Sequence, residues 1–507
     1  MRQLDHGHAI LLHDGGGDRS ATVAAVDTLI TTLQARGYRF VTMGELGGMS
    51  QSATMPRLSG EDQRLAAVDS TFFSLWRGAS AILFWGFSGA IVLGLARIAL
   101  MLCLAALKGK GGAAPAAQWR AVDVMIAAHN EEAVIVATVA SVLASRDADV
   151  RVILVDDGST DRTLEVVRGA FPNEPRLLVL TKPNGGKASA LNLALAHATS
   201  PYVVGIDADT QVDPGAVAAL ARHFEDPQVA AVAGNVRVGN RVNFVTRWQS
   251  IEYITSQNID RRAMAQVNAI TVVPGAIGAW RTEVLRRAGG YSADTLAEDM
   301  DLTWRLRRDG WRIANEATAV AYTEAPATVQ ALMRQRFRWT FGTLQCLWKH
   351  RQAVFHYGWF GCFSLPSLWL FQIALQILAP FVDLQLLLAL VGRTFAWAES
   401  LQHADIAPPH DPAIWFIVAI YFAFVALELA AAWVAFSLDD EDKRLLWLQP
   451  LQRFVYRQIM YIAVWRAVSR AIAGAGQAWG KLRRTGAVNI GRALSDAKTP
   501  ASEVGPQ

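Results

Sequence analysis

The chain has 507 residues, enough for several domains at roughly 150 residues each, and is 52% hydrophobic but only 18% charged. That balance is too apolar for an ordinary soluble enzyme and too charged for a bare bundle of membrane helices, so a soluble domain set among membrane segments is expected. The net charge of +4 is small and the basic residues are scattered, which excludes the concentrated basic stripe of a nucleic-acid-binding surface.

Residues 9–13 (AILLH) read as a short buried strand and Asp14–Gly17 as its turn. Val23, Val26, Ile30 and Leu33 then recur at helical spacing up to Arg36-Gly37, and Tyr38–Thr42 reads as a second strand. Asp5, Asp14 and Asp18 stand where a signal peptide would need an apolar core, so membrane insertion is expected from later segments. Residues 47–78 read as a linker, Ser- and Gly-rich at first. Ala79–Leu107 is apolar apart from Arg97 and long enough to cross ~30 Å of hydrocarbon. Lys108, Lys110 and Arg120 follow, which by the positive-inside rule puts residues from 108 onward in the cytoplasm and the N-terminal segment outside. Cys103, Cys346 and Cys362 lack metal-ligand spacing and read as inert, reduced thiols.

From residue 118 to about 325 the pattern changes. Apolar runs at Val122–Ala127, Val150–Val155, Leu177–Leu180 and Tyr202–Ile206 alternate with helical stretches near Ala133–Leu143, Ser189–Ala198 and Gly215–Phe224. This alternation predicts an α/β fold with a mostly parallel sheet, whose ligands gather at the carboxyl ends of the strands. A helix over Thr328–His350, with Leu332, Phe337, Phe341, Leu344 and Leu347 along its length, is expected on the cytoplasmic membrane face. Three apolar segments follow: Leu365–Val391, Ile414–Leu438 and Trp447–Ile472. The third carries Arg453, Arg457, Arg466 and Arg470, so a full crossing, a hairpin and an interfacial course all stay open for it. Lys481, Arg483 and Arg484 favour a cytoplasmic tail.

Five motifs carry chemistry. Asp156-Asp157-Gly158-Ser159-Thr160-Asp161 closes a strand with carboxylates able to accept hydrogen bonds from the imide and ribose of a nucleotide, although the same residues make ordinary surface turns. Asn184-Gly185-Gly186-Lys187 lets a diphosphate approach a helix start beside a cation, or is a plain Gly-rich turn; the spacing is not that of a Walker loop. Asp207-Ala208-Asp209 puts two carboxylates at a strand end, able to hold Mg²⁺ or Mn²⁺ while leaving positions for a diphosphate. Glu298-Asp299 opens a helix, where acids are common, and a carboxylate there can take a proton from a sugar hydroxyl. Gln335-Arg336-Phe337-Arg338-Trp339 combines a cation for a diphosphate with residues that also favour membrane surfaces. Each has a plain structural explanation alone; their order and context together suit a metal-bound nucleotide diphosphate.

On these motifs, residues about 118 to 490 resemble the processive family 2 glycosyltransferases, the group of cellulose, hyaluronan, chitin-oligosaccharide and poly-N-acetylglucosamine synthases. The resemblance implies a GT-A-like nucleotide-sugar domain inserted among transmembrane helices. It implies that Asp156 and Asp157 contact the uridine part, with Glu131 at the nucleotide edge, and that Asp207 and Asp209 bind the metal and donor diphosphate. It makes Asp299 the general base with Glu298 beside it, gives Lys187 a part in holding the leaving group, and sets Gln335, Arg338 and Trp339 at the acceptor end. Two positions depart from the family: Ala297 stands where Thr is common, and Ala127-Ala128-His129-Asn130-Glu131 stands where Pro-x-Tyr-Asn-Glu is frequent.

The implied reaction is inverting polymerisation of a UDP-sugar into a β-linked polysaccharide extruded across the plasma membrane, with the growing chain as acceptor, the bilayer as surroundings and envelope proteins as candidate partners. Residues 301–326 most resemble the poly-β-1,6-N-acetylglucosamine synthases, which favours UDP-N-acetylglucosamine. Chitin-oligosaccharide, hyaluronan and glucan synthesis, a non-processive polyprenyl-phosphate transferase and a pseudoenzyme scaffold are the alternatives. Residues 1–46 resemble the end of polysaccharide deacetylases of the nodulation-protein B type, with His13 matching that family's active-site histidine. The family's metal-binding residues lie upstream of the match, so a remnant without deacetylase activity is expected. The expected organisation is thus this remnant (1–46), a linker (47–78), a transmembrane helix (79–107), a cytoplasmic transferase domain (108–327), interfacial helices (328–362), transmembrane helices (363–475) and a tail (476–507).

Overall fold

The computed structural model describes residues 20–54, 59–107, 120–402, 412–474 and 484–488. It divides into two units, residues 1–85 and 86–507.

In the first unit, helix α1 (Ser20–Ala35) ends as its sequence foretells. Gly37 takes φ +88°, and Tyr38 N–H returns to Leu33 O at 3.0 Å, the six-residue closure that satisfies a helix's last carbonyls. The expected strand over 9–13, its turn and His13 lie outside the described residues. Tyr38–Thr42 is not a strand. It is an irregular lead into the capping box that Thr42 and Glu45 form on the short helix Met43–Leu46, and it pairs with no strand among the described residues. The expected linker also changes at its second half, because α2 begins at Gly60 and runs 47 residues to Ala106. Residues 61–77 contain neither Gly nor Pro and are rich in helix formers, so nothing stops the apolar helix from extending backward.

The second unit is built on an eight-stranded sheet: β1 (Ala121–Ala128), β2 (Asp149–Asp156), β3 (Leu177–Thr181), β4 (Tyr202–Asp207), β5 (Thr210–Val212), β6 (Val229–Val238), β7 (Gly278–Arg281) and β8 (Arg312–Thr323). The order is β3-β2-β1-β4-β7-β6-β8-β5. The first four neighbours are parallel, as the alternation predicts. Their register sets Ala128 opposite Asp156 and Ala127 opposite Asp207, which brings the two acidic strand ends to either side of β1. The far half is mixed: β7 runs antiparallel to β4 and β6, β6 pairs parallel with β8, and β5 pairs antiparallel with β8.

Both faces of the sheet are covered. Helix α3 (Lys187–His197) packs on one face with Trp280 and Trp304, both fully buried, and the other face is closed by Ile135, Val167 and Leu220. Four further helices follow: α4 (Glu298–Arg308), α5 (Val329–Lys349), α6 (Leu375–Gln402) and α7 (Pro412–Leu438), and then α8 (Tyr456–Ile472). Helix α5 packs much of its length against the rest of the protein, while Phe337 and Leu344 stay only partly covered. Leu332, Gln335, Arg336, Phe341 and Leu347 are buried in the protein's own core.

Among the described residues, three helical stretches are long and apolar enough to cross a membrane: Gly60–Ala106, Phe360–Phe381 and Val418–Leu438. The third C-terminal apolar segment is not among them. It breaks into Lys443–Leu448, Gln449–Gln452 and the 17-residue α8. Pro450 interrupts the hydrogen-bond ladder and Arg453 turns to Glu428 on α7, 2.6 Å away. After α7 the chain is tied to the sheet domain, where Asp439 meets Arg262 at 3.0 Å and Glu441 meets Arg241 at 2.8 Å.

Candidate active site

The carboxyl ends of β1, β2 and β4 form the floor of the site. Asp156, the last residue of β2, is buried; its Oδ2 accepts from Ser159 N–H at 3.3 Å, and its Oδ1 has no hydrogen-bond partner among the described residues. A buried, unsatisfied carboxylate oxygen is costly unless a ligand supplies the donor. Asp157 is spent internally. Its Oδ1 accepts from Lys182 Nζ at 2.6 Å and Gly185 N–H at 3.0 Å, and its Oδ2 from Gly186 N–H at 2.8 Å. Asp157 therefore holds the Asn184–Lys187 loop, which leaves Asp156 as the member of the pair with an oxygen to offer a nucleotide. Gly158 makes the meeting of these loops feasible, since it takes φ +71° and a Cβ there would lie 2.8 Å from Asn184 N. Beside them Asn130 Oδ1 accepts from Thr160 N–H at 2.6 Å, and Glu131 N–H donates to Thr163 Oγ1 at 2.7 Å, fixing the Glu131 loop at the rim.

Lys187, at the start of α3, is the electrostatic centre. Its Nζ lies 2.8 Å from Asp207 Oδ1 and 2.8 Å from Glu298 Oε1. Burial works against its charge, but Asp207, Glu298 and Asp299 together hold it well above the usual lysine value. Gly275 passes so close that a Cβ would sit 2.7 Å from Nζ, and its N–H donates to Asp299 Oδ2 at 3.2 Å. Asp299 Oδ1 accepts from Met300 N–H at 2.8 Å. Surrounding protein and then the neighbouring Glu298 charge push Asp299 up to about 6, with Lys187 pulling the other way. Its side chain is only partly covered, so it can still reach an incoming hydroxyl. A carboxylate poised near neutrality is what general-base chemistry needs.

Asp209 is buried; Thr210 and Thr323 donate their hydroxyls to its Oδ1 at 3.2 and 3.4 Å, and its Oδ2 is ion-paired with Arg484. Burial raises its carboxyl above the ordinary range, and Arg484 opposes that. No group of three or more His, Cys, Asp or Glu side chains among the described residues could cage a metal. The Asp207/Asp209 pair nonetheless fits Mg²⁺ or Mn²⁺, which take one or two carboxylates and complete their shell with phosphate oxygens and water.

Helix α5 lies directly behind the turn that leads into Glu298 and Asp299. Gly342 packs on Ala297 so tightly that a Cβ would be 2.9 Å from Ala297 Cβ, and Gln345 Oε1 accepts from Leu296 N–H at 2.8 Å. The small Ala297 is part of this fit. Arg338 is brought to the carboxylates. Burial and then the like charge of Arg484 push it below the ordinary arginine value, while Glu298, Asp207 and Asp209 pull it back. Gln335 is buried, with Oε1 unpartnered among the described residues, and Trp339 lies 4.4 Å under the Arg336 guanidinium, with the Tyr253 ring 6.3 Å away. Of the residues singled out in the sequence, Lys187, Asp207, Glu298 and Asp299 meet directly, Asp209 and Arg338 lie within their electrostatic reach, and Asp156 ends the strand next to β1 on its other side; Gln335 and Trp339 are on α5 with Arg338, and His13 lies outside the described residues. Sequence reasoning missed Lys182, Gly275 and Glu324, and took Arg484 for a tail charge. Only for Lys182, two residues before the Asn-Gly-Gly-Lys run, was there a local signal.

Residues 120–342 match the family described as "Glycosyltransferase like family 2". The chain is similar to the poly-beta-1,6-N-acetyl-D-glucosamine synthase of Staphylococcus aureus (strain COL), 32% identical over 219 residues that cover 43% of this chain and 53% of that protein. It is 30% identical over 226 residues to the protein of the same name from Staphylococcus epidermidis, covering 44% of this chain and 55% of that one. The chain thus spans about half the length of the curated relatives it matches (53% for the first). Among solved structures it resembles the mannosyltransferase PcManGT from Pyrobaculum calidifontis in complex with GDP-Man and Mn²⁺, with a TM-score of 0.54 at 20% identity, covering 78% of this chain and 98% of that one. That likeness concerns the fold. Residues 120–342 thus match a family 2 glycosyltransferase domain, and they take a GT-A-like fold.

Proposed function

We propose that this chain is a membrane-embedded, inverting glycosyltransferase that extends a β-linked polysaccharide from a UDP-sugar, with UDP-N-acetylglucosamine as the preferred donor. The observation that carries the reading is Asp299, raised to about 6 beside the Lys187–Asp207–Glu298 cluster and backed by Arg338. In this mechanism Asp299 takes the proton of the acceptor hydroxyl, whose oxygen forms a bond to C1 of the sugar as the bond from C1 to the diphosphate breaks. One displacement inverts the anomeric centre, and the electron pair leaves on UDP. Lys187 and Arg338 offset the charge that gathers on the leaving group, and Asp156 Oδ1 receives a donor from the nucleotide. Asp207 and Asp209 would hold Mg²⁺ or Mn²⁺, which would supply Lewis-acid charge for the diphosphate; the Mn²⁺ and GDP-Man held by PcManGT support that assignment. Gln335 and Trp339 receive the acceptor end.

The donor preference draws on the names of the staphylococcal relatives. The membrane setting draws on the three apolar helices, and a cytoplasmic catalytic side draws on Lys108, Lys110 and Arg120 after the first of them. The test is UDP release by the full chain in nanodiscs with Mg²⁺ or Mn²⁺ across a panel of UDP-sugars, beside Asp299→Asn. Release from UDP-N-acetylglucosamine that the variant loses is the expected result. Near-normal turnover by Asp299→Asn would remove it as the base, and release from another donor would change the polymer.

A further inference from the structure

Residues 484–488 lie far along the sequence from the transferase domain, yet they are docked into its active site. Glu324, buried just past the end of β8, captures them: its Oε1 accepts from Thr485 N–H at 2.7 Å and Thr485 Oγ1 at 2.8 Å, and its Oε2 accepts from Gly486 N–H at 2.9 Å. Gly486 takes φ +71° against the backbone of Ala133, where a Cβ would lie 2.8 Å from the carbonyl oxygen. Gln211 Nε2 donates to Val488 O at 3.3 Å, and the Val488 side chain is buried against Gly239. So anchored, Arg484 gives one nitrogen to Glu324 O at 2.7 Å and the other to Asp209 Oδ2.

That second contact occupies a carboxylate assigned to the divalent cation. Mg²⁺ or Mn²⁺ binds a carboxylate oxygen at roughly 2.1 Å, closer than any position compatible with a guanidinium on the same atom. Oδ1 is already engaged by two hydroxyls, and a positive charge in contact with Oδ2 repels an arriving cation. Conversely, a buried carboxylate without a counter-ion is costly, which Arg484 prevents while the metal is absent.

We propose that Arg484 is a built-in competitor for the divalent cation: docking of residues 484–488 and metal binding at Asp209 exclude one another, so arrival of the metal frees this segment. The proposal rests on the reading of Asp207 and Asp209 as the metal site. It is tested with Mn²⁺ alone, following free Mn²⁺ by electron paramagnetic resonance on the full chain in nanodiscs. Asp209→Asn should weaken Mn²⁺ binding by about tenfold or more. Arg484→Gln should tighten it by about tenfold, and Glu324→Gln, which loosens the anchor without touching the ion pair, should shift it the same way. In the unaltered chain, Mn²⁺ should also speed tryptic cleavage after Arg484. If Asp209→Asn weakens binding while Arg484→Gln and Glu324→Gln leave it unchanged or weaker, the competitor is refuted and the metal site stands. If Asp209→Asn has no effect, the metal-site reading fails and takes the proposal with it. Cleavage indifferent to Mn²⁺ refutes release of the segment.

Discussion

Replacing Gly342 with alanine is expected to separate catalysis from stability. The new Cβ would lie 2.9 Å from Ala297 Cβ, 3.0 Å from Ala297 N and 3.2 Å from Leu296 C. Carbon atoms in favourable contact sit roughly 3.5–4.0 Å apart, so α5 or the turn into Glu298 and Asp299 must move by about 0.6–1 Å. In a helix interior alanine is favoured over glycine by about 1 kcal/mol, while overpacking of this kind costs ~1–3 kcal/mol. The net loss of stability is then only ~0–2 kcal/mol, a shift of a few degrees in Tm. The displaced turn carries Glu298 and Asp299, however, and misplacing a reacting group by about 1 Å costs on the order of 100-fold in rate. Parallel thermal unfolding and UDP-release kinetics should show kcat down about 10- to 100-fold with Tm lowered by no more than a few degrees. The double variant Gly342→Ala/Ala297→Gly removes the closest contact and should recover part of that loss. Wild-type kcat in the single variant would refute the claim that α5 sets the position of the base.

Three further outcomes are expected. With Asp299 as the proposed base, held near 6 and active as its anion, kcat/KM should fall about tenfold per pH unit below pH 6 and level off above it. The raised value has the opposite effect on folding: the protonated form is favoured in the folded state, so this contribution is present at low pH and lost as pH rises through about 6. Lys187→Met removes the cation that lowers Asp299, so the acid limb of residual activity should move above pH 6; a limb that stays put would separate Lys187 from the base. Asp157→Asn should lower stability by ~1–3 kcal/mol, because Asn cannot accept all three of the hydrogen bonds from Lys182, Gly185 and Gly186, and should raise the donor KM as the Asn184–Lys187 loop loosens. Unchanged unfolding would show that the loop is held elsewhere.

Much of the fold was legible because its signals are local. The four parallel strands announce themselves as β-branched runs with turns between them, and the paired register that sets Asp156 and Asp207 beside β1 follows from that topology. The far half of the sheet was not legible: β7 has four residues and β5 three, too short for any periodicity to register, while the longer β6 (VAAVAGNVRV) and β8 (RIANEATAVAYT) are rich in alanine, which favours helix over strand. The backward extension of α2 and the break before α8 likewise depended on what each segment could pack against. Asp157 illustrates the same limit in the site, since its residue type fits a nucleotide contact while its neighbours consume both oxygens.

The sequence by itself determined the inventory: which carboxylates, cations and glycines are present, at which strand ends and helix starts, and which stretches are apolar enough to meet a bilayer. Those properties belong to residue types and short spacings, and they survive without knowledge of distant contacts. Tertiary structure alone decided which groups compete for one another. Lys187 between Asp207 and Glu298, Gly342 against Ala297, and Arg484 on Asp209 join residues 20, 45 or 275 positions apart or more. Charge and steric fit fall off within a few ångströms, so such pairings exist only once the chain has folded.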